Sequence, residues 1–179
     1  MNARDEGACV LNSALERSAA YRMLAQGFTY AGAQQAPFDI AGADFNDAFD
    51  PSVSRQGISL REGHYTEEDQ SSVFEELMRF YSFFGLQRGE GAEMPDHLSV
   101  ELEFMHYLTH LESQATLEPE GLDSLHRAQR DFLQRHVQRA LRGMTGAFKS
   151  EHPACLQLLQ DAHSFVATDL AALQAAVPD

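Results

Sequence analysis

EMPDHLSVELEFMHYLTHL, residues 93–111, decides how the chain is read. Leu98, Leu102, Met105 and Leu108 recur at three- and four-residue intervals, the period of an α-helix with one buried face. Pro95 and Asp96 mark its start, because proline is accepted in a first turn and aspartate is the expected N-cap. Opposite the leucines, Glu103, His106 and His110 share a face at i, i+3 and i+7, with Ser99 one turn earlier. His97 and Glu101 stand one turn apart on the flank of the apolar stripe. Burying a carboxylate there costs several kcal/mol unless it is paired or hydrogen-bonded. Two readings follow. His97 and Glu101 tie the helix to the glycine-rich loop QRGEGAE (87–93), or they form a polar patch at the mouth of a groove.

The same helical period runs outward in both directions. Upstream, Phe74, Leu77, Met78, Tyr81 and Phe84 form a strong stripe, with Thr66 as the expected cap and Gly85 as the stop. A first helix is predicted from about Asn12 to Tyr30, carried by Tyr21, Leu24, Ala25 and Phe28. Residues 31–63 are punctuated by Gly and Pro and read as irregular, with room for a mobile loop and one short helix around ADFNDAF. Downstream, a long helix is expected from about Pro119 to Leu141, broken by RGMTG, and a last one from Pro153 to Ala176. No strand-period segment of comparable strength is present. The expectation is an all-α single domain over residues 1–179, with about five main helices and short helical pieces.

Composition narrows the function classes. Acids outnumber Lys and Arg by 27 to 13, a net charge of −14, which argues against nucleic-acid binding. That balance suits a basic partner or a solvated surface. Cys9 and Cys155 stand far apart and form no CxxC pair. The start, MNARDEGACVLN, lacks the apolar core of a signal peptide, and no run approaches the roughly 20 apolar residues of a membrane anchor. The expected location is the cytoplasm.

Catalytic signatures are weak. Glu103-x-x-His106 with His110 is a metal-ligand spacing, and a metal-binding helical bundle is the alternative reading. The nearest second Glu-x-x-His substitute is Asp123-x-x-His126. His136 and His163 interrupt apolar stripes, where a histidine is usually a satisfied core residue. Neither cysteine has a neighbouring base signal, and no phosphate loop or dinucleotide fingerprint is present. The residues favour an acidic helical binding protein without a cofactor or metal of its own over an enzyme.

Three blocks sharpen this reading: RSAAYRMLAQGFTY, then FEELMRFYSFFGLQ followed by EMPDHLSVELEFMHYL, then AQRDFLQRHVQRAL. Their order resembles the TorD/DmsD/NarJ family, the assembly chaperones of molybdenum oxidoreductases. The central block is most similar to the subgroup serving exported enzymes of the dimethyl-sulfoxide-reductase superfamily. One departure is the absence of tryptophan, which many relatives carry where this chain has Ala140. The resemblance implies a cytoplasmic chaperone, monomer or homodimer. It would bind the immature catalytic subunit of a molybdopterin-dependent oxidoreductase, often at its twin-arginine signal peptide, until the cofactor is inserted. On that footing Asp96, His97 and Glu101 are the expected polar edge of a peptide site. Tyr81, Phe84, Leu98, Leu102 and Met105 are candidates for its apolar wall, with a core role the stronger claim for most of them.

Overall fold

Ser13 opens the first helix with a capping box, its hydroxyl accepting from the Glu16 N–H while the Glu16 carboxylate accepts from the Ser13 N–H at 3.1 Å. The computed structural model describes residues 12–114 and 118–178. Cys9 and the amino-terminal segment lie outside them. In chain order the helices are α1 (Ala14–Gly27), α2 (Tyr30–Ala33), α3 (Gly42–Phe49), α4 (Gln70–Phe83), α5 (Leu98–Gln114), α6 (Pro119–Phe132), α7 (Gln138–Ala147) and α8 (Pro153–Ala176). A 3-10 turn spans Glu62–Tyr65, and a π turn, Leu133–Val137, joins α6 to α7 in one continuous helical run. Among the described residues there is no strand, only an isolated bridge between Arg61 and His97. The all-α expectation holds, and α8 has the predicted bounds. No helix among the described residues is long and apolar enough to cross a membrane.

α5 lies at the centre and is buried on more than one side, from Leu98 and Leu102 to Phe104, Met105 and Leu108. α1 packs along one flank of α5, and α6 with the π turn lies on another. Phe104 meets Tyr81 at 4.9 Å and Phe132 at 4.7 Å between ring centroids, both edge-on, the arrangement aromatic quadrupoles favour. α8 closes the far side over α1, α3, α6 and α7.

A buried polar knot joins these layers. The fully buried Arg17 donates from Nε to Asp169 at 2.7 Å, from Nη1 to Glu112 at 2.9 Å and from Nη2 to Gln129. Tyr21 donates its O–H to the same Asp169 at 2.6 Å, and His126 meets Glu112 at 3.0 Å. Four helices are thus tied through one guanidinium, whose planar fork serves several acceptors at once.

Residues 31–63 carry the expected short helix, α3, in mostly irregular chain, and Ala33, Ile40, Phe45, Ala48, Phe49, Ile58 and Leu60 are all buried. Two local expectations are corrected. Thr66 does not cap α4. It accepts from the Glu68 N–H, and Asp69 caps the helix by accepting from Ser71 at 3.1 Å. RGMTG does not end the helical run, which passes through Gly143 to Ala147. Gly143 is there because Tyr65 rests on it, and a Cβ at that position would overlap the Tyr65 Cβ and ring. Alanine would gain about 1 kcal/mol of helix propensity, but the overlap falls on the rigid part of an aromatic side chain. Gly143→Ala is expected to be destabilising by about 1–2 kcal/mol net, measured as a lower denaturation midpoint. An unchanged or higher midpoint would mean Tyr65 moves aside freely.

Candidate functional site

The chain leaves α4 through Gly85 (φ 77°) and turns again at Gly91 (φ 72°), both in the left-handed region that favours glycine. Arg88 closes the loop on itself, donating to the Ala92 carbonyl at 2.9 Å. Between this loop, α4 and the start of α5 lies a crevice of about 300 Å³, walled by Met78, Tyr81, Leu86, Pro95, Val100 and Phe104. Beyond Val100 a second crevice of about 410 Å³ runs over Phe28, Tyr30, Phe45, Phe49 and Leu60. Both are lined by Glu93, Val100 and Glu103, and the second adds Asp50 and His97. The result is a recess with apolar walls and a rim on which three acids, Asp50, Glu93 and Glu103, outnumber one arginine, Arg88.

His97 occupies the entrance to α5. Its Nδ1 accepts from the Ser99 N–H at 3.3 Å and lies 2.8 Å from the Ser99 hydroxyl, so it takes the capping place expected of Asp96. Burial pushes the His97 pKa below its ordinary value, outweighing the pull of Glu93 and Asp96. The ring is therefore neutral near pH 7 and does not repel a basic ligand.

Beneath the recess three carboxyl groups are buried together. Asp96 turns inward, accepts from Arg61 Nε at 3.0 Å and faces the Gly63 N–H at 3.4 Å. Glu62 is held by His136 Nδ1 at 3.0 Å and by Arg139. Burial works against its charge, but these donors keep the Glu62 pKa below the ordinary value. Glu101 is fully buried, and neither oxygen has a hydrogen-bond partner of good geometry. Burial, then the charges of Glu62 and Asp96, push its pKa well above 4.5, so it is the protonated member of the group. A strap places Glu62 here: Leu98 N–H donates to the Leu60 carbonyl and Glu62 N–H to the Asp96 carbonyl, each at 2.8 Å.

The predicted site residues therefore separate. Tyr81 and His97 line the recess, and Tyr81 donates its O–H to the Pro95 carbonyl at 2.9 Å. Leu98, Leu102 and Met105 are core, with no exposed surface. Asp96 and Glu101 are equally buried, because the strap covers them, and they lie under the recess instead of at its edge. Phe84 lines a different groove, between α4 and α6. The rim belongs to Glu93, Glu103 and Asp50, which sequence reasoning did not assign to it. The acids flanking the glycines of QRGEGAE were the available signal for Glu93. His136 breaks an apolar stripe in the sequence, and Arg139, three residues on, shares its face. Glu62 gave no sequence signal.

The metal alternative finds no support. Among the described residues no group of three or more His, Cys, Asp or Glu stands close enough to hold an ion. His106 is engaged elsewhere, with Nδ1 2.8 Å from the Ser18 hydroxyl. Glu103 lines the recess, while His106 and His110, further along the same face of α5, line a separate groove against α1.

Comparison with known proteins gives these features a context. The chain is 39% identical over 102 residues to the perchlorate reductase assembly chaperone protein of Dechloromonas aromatica (strain RCB), covering 56% of this chain and 46% of that protein. It is 33% identical over 127 residues to the selenate reductase assembly chaperone protein of Thauera selenatis, covering 66% of each. Identity is 34% over 97 residues to the chlorate reductase assembly chaperone protein of Ideonella dechloratans, covering 53% of this chain and 50% of that protein. The chain thus spans about half to two thirds of the length of these relatives. A family profile described as nitrate reductase delta subunit matches residues 12–141, which run from the cap of α1 through the strap, the acidic recess and the π turn into α7. With that stretch matched across most of its length, the chain belongs to the nitrate reductase delta subunit family.

Proposed function

We propose that this protein is a non-catalytic assembly chaperone that holds the immature catalytic subunit of a molybdenum oxidoreductase, by its basic and apolar leader peptide, in the acid-rimmed recess over α5. The observation that carries this is the pairing of apolar walls with three rim acids, Asp50, Glu93 and Glu103, around a neutral His97. A leader with adjacent arginines and an apolar stretch offers the complementary chemistry. The apolar part fills the groove, and carboxylates at its edge receive guanidinium groups bidentately. The names of these three relatives, each a reductase assembly chaperone, support the same role. In this role the protein works in the cytoplasm, where the client is made, as a monomer or homodimer.

Asp96 and Glu101 contribute from below. Asp96 anchors Arg61 and the strap that forms one wall, and Glu101 lies fully buried nearby without a hydrogen bond, so substituting either leaves the rim charges in place. The clean test is at the rim. Glu93 and Glu103 are exposed, and reversing both with lysine leaves the core untouched. The double variant Glu93→Lys/Glu103→Lys is expected to weaken capture of a labelled peptide with two adjacent arginines and an apolar run by roughly tenfold. Fluorescence anisotropy at low salt measures this, and the difference shrinks as ionic strength rises. Equal affinity of both proteins at low salt would remove the recess from the proposal.

A further inference from the structure

The two crevices of the recess differ in chemistry. Glu93, Val100 and Glu103 line both and form the divide between them. The crevice under the glycine-rich loop is walled by Met78, Leu86 and Pro95 with Tyr81 and Phe104. Arg88 stands there, the only arginine or lysine among the described residues that lines either crevice. It offsets one of the two shared acids and opposes the entry of a second cation. The other crevice, over α2 and α3, adds Asp50 to the shared pair, and no arginine or lysine lines it. Asp50, Glu93 and Glu103 take part in no ion pair among the described residues. Their hydrogen bonds are local: Asp50 accepts from the Ser52 N–H at 2.8 Å and from its hydroxyl at 2.6 Å, and Glu93 accepts from the Met94 N–H at 2.9 Å. The negative charge of the recess is therefore concentrated in the α2–α3 crevice.

Tyr30 shares the lining of that crevice. It opens α2 directly after Thr29, whose hydroxyl caps the turn by accepting from the Gly32 N–H at 3.1 Å. Its ring meets Phe45 edge-on at 6.1 Å, and Phe45 meets Phe49 at 5.1 Å. Gly42 leaves room for the Tyr30 hydroxyl, where a Cβ would come within 2.5 Å of it. Tyr30 is nonetheless 52% exposed. Its ring is thus held by neighbours on one side and open on the other, in a crevice with three carboxylates. That combination suits arginine above other side chains. A guanidinium stacks on an aromatic face and still donates from its edge to carboxylates, which a lysine ammonium does less well.

We infer that the arginines of the leader lie in the α2–α3 crevice, one guanidinium on the Tyr30 ring with its fork turned to Asp50, Glu93 or Glu103, while the apolar run enters the crevice under the glycine-rich loop. This direction of binding rests on the recess as the leader site, and it makes Tyr30 the residue that selects arginine. The reverse placement sets the arginines beside Arg88 and the apolar run against the larger number of carboxylates.

The test uses two fluorescein-labelled peptides with the same apolar run, one preceded by two adjacent arginines and the other by two glutamines, titrated against the full chain by anisotropy. Tyr30→Ala is expected to weaken binding of the arginine peptide about five- to tenfold and to leave the glutamine peptide unchanged. Asp50→Asn keeps an acceptor for Ser52 and is expected to give the same pattern with a smaller loss, so the result does not hang on how Tyr30→Ala folds. Leu86→Ser is expected to weaken both peptides by one common factor, because it touches only the apolar run. A loss of equal size for both peptides in Tyr30→Ala would overturn the inference. So would a Leu86→Ser loss confined to the arginine peptide, which would put the arginines under the loop. In either case the recess itself still stands on the weaker binding of Glu93→Lys/Glu103→Lys. If that double variant also binds the arginine peptide like the wild type at low salt, the leader lies elsewhere and both readings fail.

Discussion

Arg17→Ala is expected to cost about 3–5 kcal/mol of stability, the range for breaking a buried ion pair by removing one partner. Arg17 has no exposed surface, so solvent does not screen its loss. Burial opposes its charge, but Asp169 and Glu112 keep the guanidinium pKa raised. Without it, Asp169 remains 5% exposed with only the Tyr21 hydroxyl opposite one oxygen, and Gln129 loses a donor. Domains of this size are stable by only about 5–15 kcal/mol, so the loss is a large share of the whole. Urea denaturation measures it. The double variant Arg17→Met/Asp169→Leu is expected to be less unstable than the sum of its single changes, because no buried charge is left facing an empty partner site. A cost below about 1 kcal/mol for Arg17→Ala would mean that the knot is not a structural tie.

Glu101→Gln is expected to act in the opposite direction, with a pH dependence of defined sign. Burial first, then the Glu62 and Asp96 charges, raise the Glu101 pKa well above 4.5 in the folded protein. The folded state therefore keeps a proton that the unfolded chain releases above its ordinary value. Stability is full below about pH 4.5 and falls by about 1.4 kcal/mol per pH unit as pH rises toward the folded pKa. Glutamine has no proton to lose and offers an N–H to Glu62. At neutral pH the variant is expected to be the more stable protein, and the descending limb above pH 4.5 is expected to vanish. Glu62 does not confuse the measurement. Its pKa is lowered, so its contribution is present above the ordinary value and is lost only as pH falls through the folded pKa. Melting temperatures of both proteins from pH 4.5 to 8 decide the matter, and parallel curves would refute a protonated Glu101.

A stabilising substitution at Glu101 would also say what this acid does in the native protein. Together with Asp96 and Glu62 it lies under the wall of the recess, below His97 and behind Tyr81. Burial, then the neighbouring Glu101, Glu62 and Asp96 charges, push the Tyr81 pKa far up, so its hydroxyl stays neutral and keeps its bond to Pro95. The recess therefore rests on a base whose stability depends on one proton.

The helices of this protein are local facts of its sequence. The three- and four-residue recurrence of Leu98, Leu102, Met105 and Leu108, the stop at Gly85 and the start at Pro153 act within a turn or two, so α5, α4 and α8 were legible residue by residue. The same local order carried the family resemblance. What the sequence could not show is which polar residues of those helices are buried. Asp96 and Glu101 read as a rim, and they would be one if residues 58–65 did not cross the start of α5 and bring Glu62, from more than thirty positions away, against them. Gly143 read as a helix breaker until Tyr65, far upstream, was found resting on it. Phe84 and Tyr81 lie on one predicted stripe, yet they face different grooves, because the helix ends there and α6 stands on one side while α5 stands on the other. Periodicity encodes which way a side chain leaves its own helix. Burial, pKa and exposure depend on what another part of the chain places in front of it, and that is decided only by tertiary packing.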